Sequence, residues 1–304
     1  MNVLVIGGGH GAAASLRAAL LYSDNVAAIV TTADDGGSSG RLAAELGVPP
    51  MGDIRNCLAA LAPDSEVLST FQHRFGSGKL EGHVVGNLVI AGAVQEGFNF
   101  IEAIQQCARM LGSRGRVVPP TLDPIRLVAE IDGKWVEGQV AVATAKGHLS
   151  FVALDPSNPK PYQGALDLID WADQIILGPG SLFTSVIPSL LVPELREAFA
   201  GSTATRILVC NLASPPGETS GFDATEHLAA LHQHIGEGTV DVLIAHSGRS
   251  PVTRSHVVQV DLSALEAMGV QVVTCDLLPE TGAPRHDPKR LADCLSSIVK
   301  RRVA

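Results

Sequence analysis

The chain is short of basic charge, of paired cysteines and of long apolar runs. Its 304 residues carry 22 Lys and Arg against 31 Asp and Glu, a net charge of −9. A balance this acidic argues against bulk binding to nucleic acid or to an anionic membrane. Any phosphate must then be held by local devices. Only 6 of the basic residues are Lys and 16 are Arg. Arginine suits forked phosphate contacts, although genomic base composition explains the bias more simply. The five cysteines, at 57, 107, 210, 275 and 294, are scattered and form no CxxC. Their odd number and spacing argue against a disulfide framework and a zinc site, and predict a reduced, cytoplasmic setting. No run of 18 or more apolar residues occurs, so no membrane span is expected. Residues 1–16 lack Asp, Glu, Lys and Arg. They have no basic opening, and Gly7, Gly8 and Gly9 break the apolar run, so they read as a strand and turn rather than a signal peptide. Repeats and low-complexity tracts are absent.

What is present is ordinary globular composition: 46% hydrophobic, 17% charged, mean hydropathy +0.24. Apolar strands are expected at 2–6 and 25–32, with a helix at 12–22 between them, the opening of a parallel α/β sheet. Residues 34–41 read as a polar glycine-rich loop and 71–82 as a loop. Helices are expected at 54–61 and 100–111. Three short strands at 125–131, 135–143 and 148–154, divided by Asp132-Gly133 and Lys146-Gly147, carry hairpin signals. The core pattern returns with strands at 174–177, 206–211, 240–245 and 270–275. Helices are expected at 182–200 (bent at Pro188 and Pro193), 224–235 and 288–301. The reading is an α/β fold: a Rossmann-like three-layer core of 1–114 and 161–304 with a mostly parallel sheet, and a small antiparallel β-rich insertion at 115–160.

The first strand runs into Gly7-Gly8-Gly9-His10-Gly11-Ala12. Gly7, Gly9 and Ala12 meet the dinucleotide pattern GxGxxG/A, in which glycine admits positive φ and lets phosphate approach the backbone at a helix N-terminus. A tight turn without ligand is the plain alternative. Asp34 stands 23 residues after Gly11, about where NAD-binding folds place a ribose-holding acid. NAD(P) therefore stays open as a ligand.

A second loop, Asp34-Asp35-Gly36-Gly37-Ser38-Ser39-Gly40-Arg41, offers N–H groups, hydroxyls and a guanidinium to phosphate. Its carboxylates, Asp34 and Asp35, can hold Mg²⁺ or a sugar hydroxyl. Further stretches are PMGDIRNCL (50–58), GHVVGNL (82–88), GPGSLFTS (178–185), PGET (216–219) and RHD (285–287). With the two loops, they make the chain resemble the CofD/YvcK family. That family joins 2-phospho-L-lactate transferases to YvcK-type gluconeogenesis factors, and the match is closer to the YvcK branch. The resemblance implies a Rossmann-like core and a nucleoside-diphosphate ligand: a UDP-sugar such as UDP-N-acetylglucosamine for YvcK proteins, a guanosine-diphosphate-linked phospholactate for the transferases. It also implies a role in cell shape and growth on gluconeogenic carbon. The chain departs from the pattern at Val84-Val85, at Phe183 where the family has Tyr, and at 247–258, which looks shortened.

The remaining candidates follow from position. Asp53 opens a helix, as a cap or a site residue, and Asn56 follows one turn later. His83 and Asn87 share a helix face. Gly178-Pro179-Gly180-Ser181 is a second strand-to-helix anion site. Asn211, Glu218, Thr219 and Arg285 should emerge at the same sheet edge. His227, His232 and His234 lack zinc spacing and read as a solvated helix face. No G-x-S-x-G elbow is present. The leading expectation is a non-catalytic binder of UDP-sugar. The enzymatic alternative is a Mg²⁺-dependent phospholactate-type transferase with a deazaflavin acceptor, using Asp34, Asp35 and Asp53. Homo-oligomerisation and a downstream protein partner stay open.

Overall fold

The structure is a computed structural model describing residues 1–214, 217–247, 257–280 and 285–302, with backbone alone for 299–302. Pro216 of the PGET stretch and most of 247–258 lie outside the described residues. In chain order the first elements are β1 (Asn2–Gly7), α1 (Gly9–Ala19), β2 (Asn25–Val30), α2 (Gly37–Leu46), α3 (Gly52–Leu61) and α4 (Glu66–Gln72). Then come α5 (Val85–Gln95), α6 (Phe100–Leu111), β3 (Gly115–Val118), β4 (Arg126–Ile131), β5 (Lys134–Glu137), α7 (Gln139–Thr144), β6 (Leu149–Asp155) and α8 (Gln163–Trp171). The last are β7 (Gln174–Leu177), α9 (Pro193–Gly201), β8 (Thr205–Val209), α10 (Ala224–Ile235), β9 (Val242–His246), α11 (Leu262–Ala267), β10 (Gln271–Cys275) and α12 (Pro288–Arg302).

Seven strands form one parallel sheet in the order β10-β9-β8-β7-β1-β2-β3. Three form an antiparallel sheet in the order β5-β4-β6. The parallel strands are near-continuous apolar runs because both their faces are covered. Val3 and Val5 pack with α1, α3, α6 and α12. Leu4 and Ile6 face α8, α9, α10 and the small sheet. These are the three layers expected from the sequence. β3 belongs to the large sheet through its pairing with β2.

Several local expectations are corrected. The glycine-rich loop after β2 becomes helix α2 at Gly37, where a Cβ on Gly40 would strike the Asp35 backbone. The strand expected over 135–143 stops at Glu137. Gly138, at φ +101°, turns the chain, and Asp35 Oδ1 accepts the Val140 N–H at 2.9 Å, closing the first turn of α7. The stretch 182–200 divides into a π-turn (Leu182–Val186), a 3₁₀ turn (Ile187–Leu190) and α9. Part of the loop expected at 71–82 is the end of α4.

His227, His232 and His234 are buried rather than solvated: His234 packs against β6 of the small sheet and His227 against Phe222. Burial lowers the pKa of each below the ordinary histidine range. His234 Nε2 accepts the Val152 N–H at 3.0 Å and its ring stacks on Phe151. Against the expectation that no disulfide forms, Cys275 and Cys294 are bonded. Among the described residues, no helix is long and apolar enough to cross a membrane.

Candidate functional site

Strand order reverses about β1 and β7: β2 and β3 lie on one side, β8 to β10 on the other. Open α/β sheets bind ligands at such a switch point, beyond the carboxyl ends of the strands. Both glycine loops emerge there and interlock. A Cβ on Gly11 would fall on the Pro179 carbonyl and lie 2.9 Å from Gly180 Cα. Ser15 Oγ donates to the Gly178 carbonyl at 2.6 Å. Asn211 Oδ1 accepts from the Gly180 N–H and its Nδ2 donates to the Gly180 carbonyl, both at 2.9 Å. The Asn211 amide thus helps to shape the second loop. Gly9 adopts φ +62°, and a Cβ added there would meet only Asp53 Oδ1, at 3.9 Å. His10 is exposed beside it.

Beneath the first loop sits Asp53, in the first turn of α3 rather than at its cap. A Cβ on Gly8 would fall on its carboxylate. Burial, then the charge of Asp34, pushes the Asp53 carboxyl up to about 6, against hydrogen bonds from the Gly9 amide and Asn56. Asp34 Oδ1 accepts the Gly36 N–H at 2.9 Å, and its Oδ2 lies 3.1 Å from where a Gly52 Cβ would be. Burial raises its pKa as well. Asp34 therefore faces Asp53, whereas Asp35 faces α7. Among the described residues, no group of three or more His, Cys, Asp or Glu is placed to hold a metal ion.

A buried polar chain braces this floor. Ser38 Oγ lies 3.2 Å from His83 Nδ1 and accepts from Asn87 Nδ2 at 3.1 Å. Asn87 Oδ1 accepts from Arg55 Nε at 3.1 Å. Ser39 Oγ accepts the Met51 and Gly52 N–H groups at 2.8 and 2.9 Å. Arg41 donates to the Glu81 carbonyl at 2.8 Å. Sequence reasoning does not single out Arg55 or Ser39 for this role. The available signal is a cation in the first turn of α3, which opposes the helix dipole. Asn87→Ala would strip partners from Ser38 and Arg55. Urea unfolding should show a loss of about 1–3 kcal/mol, the cost of stranding buried polar groups.

Glu218 and Thr219 are buried against the π-turn after β7. Burial raises the Glu218 carboxyl, against hydrogen bonds from Ser181, Phe183 and Thr184. Arg285 is exposed. Its neighbour His286 is buried and held near 4 by burial, and its Nε2 donates to the Cys210 carbonyl at 3.1 Å. Cys210 directly precedes Asn211, so His286 anchors the residue next to Arg285 on the strand end that carries Asn211.

A family model described as "2-phospho-L-lactate transferase CofD" matches residues 3–278. The chain is 37% identical to a "Gluconeogenesis factor" of Listeria innocua, over 98% of this chain and 95% of that one. It is 38% identical to the "Gluconeogenesis factor" of Bacillus subtilis, over 86% and 87%. A crystal structure of a UPF0052 family member from Bacillus halodurans superimposes with a TM-score of 0.92 at 38% identity, covering 97% of this chain and 98% of that one. With the fold, the motifs and these relatives in agreement along its length, the chain belongs to the CofD family, on the side of its gluconeogenesis factors.

Proposed function

We propose that the chain binds a nucleoside-diphosphate sugar, of which UDP-N-acetylglucosamine is the representative, and acts by holding it. The observation that supports this most is the interlock of Gly7–Gly11 with the Gly178–Ser181 loop at the switch point, with Cβ-free backbone on both sides. In this reading Gly7, Gly8, Gly9 and Gly11 meet one phosphate and Gly178, Gly180 and Ser181 the other. The second helix start, Gly36, Gly37 and Ser38, flanks the cleft with Asn56, and His83 and Asn87 brace it. Glu218 and Thr219 lie toward the sugar, and Arg285 pairs with phosphate.

Asp53 sets a condition on binding. Its carboxylate accepts from the Gly9 amide, the same kind of donor a phosphate would take. An ionised Asp53 beside a diphosphate is repulsive unless it takes a proton or shares a cation. The facing pair Asp34 and Asp53 supplies hard oxygen donors that suit Mg²⁺. Such an ion would neutralise charge between protein and diphosphate. The transferase reading draws on this pair together with Asp35, and on the description of the family model. In it, Asp53 faces the acceptor. The name of the relatives extends the proposal to growth on gluconeogenic carbon, and the family resemblance to cell shape.

Thermal shift with UDP-N-acetylglucosamine, GDP, NAD and NADP, each with Mg²⁺ or chelator, tests this. UDP-sugar should raise the melting temperature by mass action, about 2.7 kcal/mol of stabilisation at a hundredfold excess over Kd. A shift with NAD or NADP alone would overturn the reading. Metal-dependent product from an activated phospholactate and a deazaflavin would replace the binder by a transferase. Arg285→Ala should weaken UDP-sugar binding by roughly 1.5–3 kcal/mol, the range for hydrogen bonds to charged groups, with little change in stability. An unaltered Kd by calorimetry would take the C-terminal segment out of the site.

A further inference from the structure

Cys275 ends edge strand β10, Cys294 lies in α12, and their sulfurs are bonded across a Cα–Cα distance of 6.5 Å. The other three cysteines are free and buried. Burial holds the thiols of Cys107 and Cys210 up at about 11 and 12 and raises that of Cys57 further, which makes them poor nucleophiles. Cys275 is partly accessible and Cys294 is buried. Only this pair is both juxtaposed and reachable among the described cysteines.

The pair flanks the contacts that dock the start of α12 against the end of β10. Just after Cys275, Asp276 is ion-paired with Arg290 and Leu277 donates its N–H to His246 Nδ1 at 3.1 Å. The Leu277 carbonyl accepts the Asp287 N–H at 2.8 Å. On the far side stand Arg285 and His286, the latter docked on the Cys210 carbonyl. A covalent tie between β10 and α12 therefore reinforces the contacts that hold Asp276, Leu277, His286 and Asp287 in place beside Arg285.

We propose that Cys275 and Cys294 form a reversible redox staple that secures the docking of α12 on β10, and with it Arg285 and His286, and so tunes affinity for the nucleotide; the affinity part rests on the ligand reading above. The oxidant is a low-molecular-weight disulfide. The accessible Cys275 thiolate attacks it, forming a mixed disulfide and releasing one small thiolate. Cys294 then attacks the Cys275 sulfur, closing the protein disulfide and releasing the second. The two protons lost by the cysteines end on the two released thiols, and the small disulfide is the species reduced. The closed staple strengthens binding by holding Arg285 and His286 in place before the ligand arrives.

The test equilibrates the purified chain with oxidised or reduced glutathione, then denatures, alkylates and digests it. Oxidised glutathione should give a joined peptide holding Cys275 and Cys294 with three alkylated cysteines, and reduced glutathione should give five. Five alkylated cysteines after oxidised glutathione, or glutathione left on Cys275, overturn the staple. By calorimetry, the reduced form should bind UDP-N-acetylglucosamine roughly three- to tenfold more weakly. Cys275→Ser and Cys294→Ser should both bind like the reduced form and ignore redox state. Equal affinity of oxidised and reduced wild type overturns the control of binding. If neither form binds any nucleotide, the ligand reading fails by itself. Amide exchange at Leu277 and Asp287 then decides: faster exchange in the reduced chain supports the staple's ordering role, and equal exchange overturns it.

Discussion

Gly9→Val is expected to abolish nucleotide binding while leaving a folded, less stable protein. At φ +62° Gly9 is in the left-handed region, where a side chain costs about 1–2 kcal/mol and a β-branched one more. The site tolerates that cost, because a Cβ there meets only Asp53 Oδ1, at 3.9 Å. The valine Cβ therefore makes no clash, and in the proposed binding mode its methyl groups take the space of the phosphate. An obstructed phosphate and misdirected N–H groups should together lower affinity by at least about a hundredfold, some 2.7 kcal/mol. Gly11→Val is the contrasting variant. Its Cβ would fall on the Pro179 carbonyl, so it should break the junction of the two loops and cost mainly stability. Circular-dichroism melting and calorimetry on both variants separate the effects. A folded Gly9→Val protein with wild-type affinity would remove the first loop from the site.

The parts of this architecture that are legible in sequence are those coded locally. β1, the glycine turn and α1 show their period and their positive-φ residues within a single short stretch of chain. The same holds for β7 and its GPGS loop. What is not legible depends on partners far along the chain. The strand expected over 135–143 gives way to α7, whose first turn is closed by Asp35 from 105 residues away. Asn211 reads as a ligand contact, and its two hydrogen bonds to Gly180, 31 residues away, cannot be read from sequence. The three histidines of α10 look solvated, but all are buried, His234 against Phe151 and Val152 of β6, the latter 82 residues away. The cysteine pair is 19 residues apart, a spacing that means nothing until β10 and α12 are known to be neighbours. Asp53 shows the same limit: sequence marks it as a cap or a site residue, and only its burial beneath the first loop, with the charge of Asp34 added, explains its raised pKa.

That charge state gives the second large effect. The folded-state pKa of Asp53, about 6, lies above the ordinary 3.8, so the folded chain holds this proton more tightly than the unfolded chain does. Its contribution to stability is therefore fully present below 3.8 and is lost as pH rises to about 6. Above that, the fold carries a buried charge that costs on the order of 3 kcal/mol. Asp53→Asn removes the charge while keeping size and hydrogen-bonding capacity. It should raise stability at neutral pH by a comparable amount and flatten the difference between variant and wild type below about pH 4, as urea unfolding across this range would show. A diphosphate bound above Asp53 repels the ionised form further. Without divalent cation, binding at neutral pH should then take up a proton, visible as a buffer-dependent heat in calorimetry. Mg²⁺ should suppress the uptake by supplying the positive charge itself, and Asp53→Asn should abolish it. If wild type binds UDP-N-acetylglucosamine without metal, with no proton uptake, and Asp53→Asn gains no stability at neutral pH, then Asp53 is not the charged floor of the site. The diphosphate would then have to lie nearer the Gly178–Ser181 loop alone.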